Sequence, residues 1–199
     1  MHPALESLAL PSLDEALPER FRRALGLAPA GQYGVAVREL GEAIAGAETR
    51  RAGPFVRARV SPPRWREHGE RRRATLEFAL GYCDDAQLEF LGPGVGTGFY
   101  VDVLGERRAA LHHVGIYQHG LAAAAHRLAG AGFPMVVSGG LDLGPLARFT
   151  FAYFDTRAAL GHYLEILDFA WLGERPVPLR PLIERAARLR ARASVSRPD

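Results

Sequence analysis

The 199-residue chain contains no lysine and no asparagine, so all 25 of its Lys+Arg positions are arginine. That excludes a Schiff-base lysine, a phosphate-loop lysine and a Cys-His-Asn triad. A GC-rich bacterial genome, which avoids the codons for both residues, accounts for the bias without a functional cause. The single cysteine, Cys83, excludes an internal disulfide framework and any multi-cysteine zinc or iron–sulfur site. No segment approaches the roughly 18 unbroken apolar residues of a membrane span. The N-terminal stretch lacks a basic start and carries Glu6, Asp14 and Glu15, unlike a secretion signal. A cytoplasmic protein is expected.

Charge is present but uneven. The formal net charge is only +3, yet Arg64, Arg66, Arg71, Arg72 and Arg73 crowd one segment, and Arg185, Arg188, Arg190 and Arg192 another. Nucleic-acid binding needs a basic face with aromatics for stacking. Trp65 is the only aromatic in the first cluster, and Glu67, His68 and Glu70 dilute it. The segment reads as a solvated loop or, if it has a role, as a dock for an anionic group on a small substrate. No nucleic-acid or membrane partner is expected.

Ser12-Leu13-Asp14-Glu15 has the pattern of a capping box and predicts a helix over 12–25. Between this arm and the prolines at 176, 178 and 181, the chain repeats itself. QYGVAV (32–37) precedes a helical stretch (38–50) and strand-like runs at 54–60, 74–83 and 86–92. HHVGIY (112–117) precedes a helical stretch (119–132) and strand-like runs at 133–139, 147–155 and 162–169. The fold class is α+β, two βαβββ modules. The predicted divisions are an N-terminal helical arm (1–30), a first module (31–92), a connector (93–110) with Phe99–Leu104 helical, a second module (111–169), and a basic helical tail (170–199), whose helix spans 182–192. The arm reads as a packing or dimer element, and a homodimer is expected.

Alternation along the strands sorts side chains by face. Gln32 and Gly34 share a face of the first strand, as do His113 and Gly115 in the second copy. On the closing strands Gln87 and Glu89 correspond to Tyr163 and Glu165. In each leading strand a polar residue precedes a glycine by two positions, which leaves room for a ligand or another backbone. Packed symmetrically, the modules bring Gln32, Glu89, His113 and Glu165 together. His112 is the alternative to His113, but its side chain should point away from that cleft, and His162 likewise, as a structural residue. Cys83 lacks a flanking base and reads as a buried thiol. GPGVGTG (92–98) lacks the spacing of a dinucleotide fingerprint and reads as a connector.

The runs LHHVGIY, FAYFDTRAALGHYLEIL and QLEFLGP resemble the vicinal oxygen chelate superfamily, and its glyoxalase and methylmalonyl-CoA epimerase branch in particular. The resemblance covers residues 31–169. It implies a cupped eight-stranded mixed sheet around one divalent metal held by Gln32, Glu89, His113 and Glu165. Glutamine departs from the histidine common at the first position, but its carbonyl oxygen can still coordinate. One histidine with three oxygen donors suits Mg, Mn, Co, Ni or Fe(II) better than structural zinc. Ring-cleaving dioxygenases need a second histidine where Gln32 stands. Bleomycin-resistance relatives lack the ligands and are shorter.

The resemblance implies chelation of a substrate through vicinal oxygens, with the metal stabilising charge beside a carbonyl. Glu89 and Glu165 are then the catalytic proton-moving pair, as an isomerase, epimerase or lyase requires. Tyr117, Tyr163, Phe99 and Tyr100 are the expected substrate-pocket residues, and an acyl-CoA or 2-oxo compound the expected partner. The competing readings are a non-catalytic small-molecule-binding protein on the same fold and, third, a metal-dependent dioxygenase.

Overall fold

The computed structural model describes residues 3–142, 147–171, 180–181 and 183–187. Three short helices open the chain: α1 (Pro3–Ser7), α2 (Leu13–Ala16) and α3 (Glu19–Leu25). The capping box forms as the sequence predicts, with the Ser12 backbone N–H donating to Glu15 Oε2 at 2.8 Å. The single helix expected over 12–25 is instead two, because Pro18 has no N–H to continue the ladder. Gly26 then ends α3 in the left-handed conformation. The arm packs on its own chain: Ala16 and Leu17 are buried, and the Tyr33 hydroxyl donates to the Pro11 carbonyl at 2.7 Å. His162 also holds it, with Nε2 at 3.1 Å from the Ala16 carbonyl.

Among the described residues, the rest of the chain builds on one curved ten-stranded sheet. In chain order its strands are β1 (Gln32–Val37), β2 (Val56–Val60), β3 (Arg64–Glu67), β4 (Glu70–Arg71), β5 (Leu76–Cys83), β6 (Ala86–Leu91), β7 (Ala109–Tyr117), β8 (Met135–Asp142), β9 (Ala147–Phe154) and β10 (Tyr163–Trp171). Across the sheet they run β2-β5-β6-β1-β7-β10-β9-β8-β3-β4. Helices α4 (Leu40–Thr49) and α5 (Leu121–Gly130) follow β1 and β7; the short α6 (Arg157–Leu160) precedes β10.

The central pair β1 and β7 is antiparallel, and each has a parallel outer neighbour, β6 and β10. Alternation divides the side chains. Val35, Leu88, Phe90, Val114, Ile116 and Leu164 face the helices in the main core, with Leu40, Ala47, Ala124 and Leu128 opposite. The other face is concave and carries a second, aromatic cluster that includes Trp65, Tyr100, Phe151 and Tyr153.

Eight strands belong to the two repeats; β3 and β4 come from the arginine-rich segment. The sequence reads that segment as a solvated loop, but Trp65 is fully buried. Strand alternation explains the difference: Arg64 and Arg66 point to water while Trp65, between them, points into the cup beside Tyr100 and Phe151. Its indole N–H donates to Glu67 Oε1 at 2.8 Å. β2 lies at one rim of the sheet and β3, only three residues later, pairs with β8 near the other. Ser61, Pro62 and Pro63 therefore cross the mouth and tie the rims. Arg64 seals the junction with a two-pronged contact to Asp142, 2.8 and 3.0 Å.

The connector is a series of turns rather than the helix expected over Phe99–Leu104. Residues 183–187 are helical within the predicted tail; the rest of the 182–192 helix, including Arg188, Arg190 and Arg192, lies outside the described residues. Among the described residues no helix is long and apolar enough to cross a membrane.

Candidate metal centre

The site lies on the concave face, where β1 and β7 meet. Gln32 stands opposite Gly115, and His113 opposite Gly34. A Cβ on Gly34 would collide with the His113 ring, and one on Gly115 with Gln32 Oε1. Each copy's glycine thus makes room for the other copy's polar side chain, and that reciprocity is why both glycines recur in the repeat. The parallel neighbours add Glu89 from β6 and Glu165 from β10.

The four expected ligands converge. His113 Nε2 is 3.0 Å from Glu165 Oε2 and 3.4 Å from Glu89 Oε2. One donor atom from each of these three residues lies within 4.8 Å of the others. Gln32 joins them through its amide: Nε2 donates to Gln87 Oε1 at 2.8 Å and lies 3.5 Å from Glu89 Oε2. Gln87 is in turn held by the Tyr117 hydroxyl, 2.6 Å, and donates to the Tyr82 hydroxyl, 3.1 Å. With Nε2 engaged, Gln32 Oε1 is the atom left without a hydrogen bond.

Among the described residues, three buried side-chain polar atoms make no hydrogen bond of good geometry: Gln32 Oε1, and the facing pair His113 Nε2 and Glu165 Oε2, 3.0 Å apart. Buried polar atoms are rarely orphaned. Here they belong to three of the four converging side chains, and each can donate a lone pair to a cation. The residues present therefore fit a divalent ion.

Electrostatics agree. Burial alone would push the His113 pKa down, but Glu165 and Glu89 outweigh it and raise it to about 9. Burial pushes Glu89 up, partly countered by His113. A site that draws a proton onto His113 between two carboxylates is a site short of positive charge.

His112 departs from simple alternation. The pairing of β1 with β7 shifts register between Gly34 and Val35, so His112 and His113 together oppose one residue. The bulge brings the His112 ring onto the concave side, among Phe99, Tyr100, Tyr153 and Tyr163, instead of away from it. His112 Nδ1 contacts His113 Nδ1 at 3.0 Å, and His112 Nε2 contacts the Phe99 carbonyl at 3.1 Å. Burial holds its pKa well below the usual value.

Beside the four ligand positions lies a cavity of about 120 Å³, walled by Leu76, Phe78, Leu91, Phe149, Phe151 and Leu167. Of the expected pocket residues, Tyr117 and Tyr100 line it. Phe99 and Tyr163 do not: Phe99 packs edge-on against His112 at 4.7 Å, and Tyr163 lies under the Arg157 guanidinium at 4.6 Å. The sequence alone assigns no role to Gln87, which fixes the Gln32 amide, and places His112 facing away from the cleft. The correspondence of Gln87 with Tyr163 across the repeat was visible, but its hydrogen bonds depend on β1–β6 pairing.

Neither a family model nor a curated protein sequence matches the chain. Its structure is similar to methylmalonyl-CoA epimerase from Mycobacterium tuberculosis, at 16% identity and a TM-score of 0.51, over 71% of this chain and 88% of that one. It is also similar to a hypothetical protein from Bacillus halodurans C-125, at 13% identity and a TM-score of 0.50, over 74% and 95%. Paired modules, a cupped mixed sheet and neighbours of this kind lead to one conclusion: the chain has the fold of the vicinal oxygen chelate superfamily.

Proposed function

We propose that the chain is a metal-dependent enzyme of the isomerase, epimerase or lyase kind that moves a proton on the carbon next to a carbonyl. The observation that carries this reading is the convergence of Gln32, Glu89, His113 and Glu165, with orphaned donor atoms, at an apolar cavity. One imidazole nitrogen and three oxygens suit a harder, octahedral ion. When bound, that ion supplies a Lewis acid for charge that develops on a carbonyl oxygen.

The chain's own residues do the rest. Gln87 and Tyr117 keep the Gln32 carbonyl turned into the site. Glu89 and Glu165 approach from opposite sides of the β1–β7 seam and can take a proton from one face of a carbon and return it to the other. The apolar wall excludes water, which strengthens these interactions and protects a carbanion-like species from stray protonation. The burial-raised pKa values of Tyr100, Tyr117 and Tyr153 keep all three phenols protonated as donors.

The cavity's size admits a compact apolar group about as large as a benzene ring. Pro62 also borders an open groove lined by Arg71, Arg72 and Arg73, next to Ser61 and Thr75. An acyl thioester fits this pair of features, with its acyl group inside and its phosphate-bearing handle on the arginines. Pairing of two chains into a homodimer is part of the proposal.

The test is solvent deuterium incorporation at the α-carbon, followed by mass spectrometry, for a panel of acyl-CoA thioesters and 2-oxo acids with Mn, Co, Ni or Mg supplied. Exchange in the parent and its loss in Glu165→Gln and Glu89→Gln supports the reading. Tight binding of the same compounds without exchange would leave a small-molecule-binding protein instead.

A further inference from the structure

The paired imidazoles contain more information than a ligand count. The Phe99 carbonyl can only accept a hydrogen bond, so the His112 nitrogen facing it at 3.1 Å, Nε2, carries the proton. His112 is fully buried, and among the described residues no carboxylate touches it, so a second proton on that ring would be an uncompensated buried charge. Its Nδ1 is then a lone pair, and the partner 3.0 Å away, His113 Nδ1, must be the donor. A neutral His113 with its proton on Nδ1 has its own lone pair on Nε2. That is the atom that faces Glu165 and Glu89, at 3.0 and 3.4 Å, with no hydrogen bond of good geometry to either.

We propose that His112 is a positioning residue that fixes the tautomer and orientation of His113, anchored in turn by the Phe99 carbonyl. This rests on the reading of the site as a metal centre and extends it to the connector, through the backbone of Phe99. A metal-ligating histidine usually has its other nitrogen held by a carbonyl or carboxylate. Here another imidazole does so, and the β-bulge at 112–113 is what makes the two rings meet. Phe99 packs edge-on against the same ring, 4.7 Å between centroids, which leaves His112 little freedom to turn.

The test uses the full chain and zinc or cadmium ions alone as the probe. In long-range nitrogen–proton NMR spectra of the cadmium-loaded protein, His113 should carry its proton on Nδ1 and show coupling to cadmium through Nε2. His112 should be protonated on Nε2. Cadmium coupling through His113 Nδ1, or an unprotonated Nδ1, would overturn the proposal without any substitution. His112→Phe keeps an aromatic ring but cannot accept, and should weaken zinc binding by about 10–100-fold. His112→Gln offers both an acceptor and a donor and should recover most of that loss. Parent-like affinity in a folded His112→Phe variant, or a His112→Gln variant no better than Phe, would overturn the proposal. A parent protein that takes up no ion would defeat the metal-centre reading itself, which is a different failure.

Discussion

The two halves of the sheet present the same scaffold and hold their site residues by different means. In the second half, His113 is backed by a second imidazole and, behind that, by a connector carbonyl. In the first, Gln32 is turned by an amide, Gln87, which two tyrosine hydroxyls hold in place. The backbone symmetry places four positions at the seam; the chemistry of each donor is set by the neighbour that occupies its other polar atom. The halves differ again at the rim, where, among the described residues, only the first carries an extra hairpin, β3–β4, and uses it to grip the second. A duplicated fold therefore fixes where a site is, while local departures from the repeat decide what it binds.

The largest expected effect breaks the contact between halves. Trp65→Ala removes a fully buried indole from the rim junction and should lower folding stability by about 3–5 kcal/mol in denaturant unfolding. Next come the reciprocal glycines. Gly34→Ala drives a methyl group into the His113 ring and should weaken zinc binding by more than about 100-fold, beyond the loss typical of outer-shell changes. Gly115→Ala collides most closely with Gln32 Oε1, with Gln32 Cβ at 3.0 Å, and the flexible amide can yield further than a ring, so calorimetry should show a loss of about 10-fold. Equal losses would mean that the two halves contribute alike.

Acidity gives a graded comparison. His113 holds a proton up to about pH 9, and a metal ion must displace it. Ion affinity should therefore rise by about tenfold per pH unit and level off near pH 9, with about one proton released per ion in calorimetry across several buffers. Without metal the sign reverses. The His113 pKa is raised from 6.5, so its charged form stabilises the fold fully below about pH 6.5, and that contribution fades as pH climbs through about 9. The smallest effect is expected at the groove. Neutralising Arg71 and Arg73 together should raise KM for an acyl-CoA several-fold and leave kcat unchanged; an unchanged KM would remove the arginines from substrate binding.

Much of this was legible in the chain because strand alternation is a local property. The spacing of Gln32 with Gly34 and of His113 with Gly115, and the glutamates of the closing strands, can be read from residues two apart. What escaped the sequence depends on partners far along the chain. The bulge that turns His112 inward arises from pairing with β1, nearly 80 residues earlier. Trp65 was hidden among arginines because its burial follows from β3 reaching β8. Phe99–Leu104 is expected to be helical, but the segment makes turns as it carries the Phe99 carbonyl to His112.

The central claim is that four side chains from two repeats form one metal centre. The most direct measurement is metal content and uptake of tag-free protein purified without chelators, by elemental mass spectrometry and calorimetry, in the parent and in Glu165→Gln. One equivalent of a divalent ion in the parent, with affinity lost in the variant while its unfolding midpoint holds, is the expected result. A parent protein that arrives empty and takes up none of Mn, Co, Ni or Zn would contradict it.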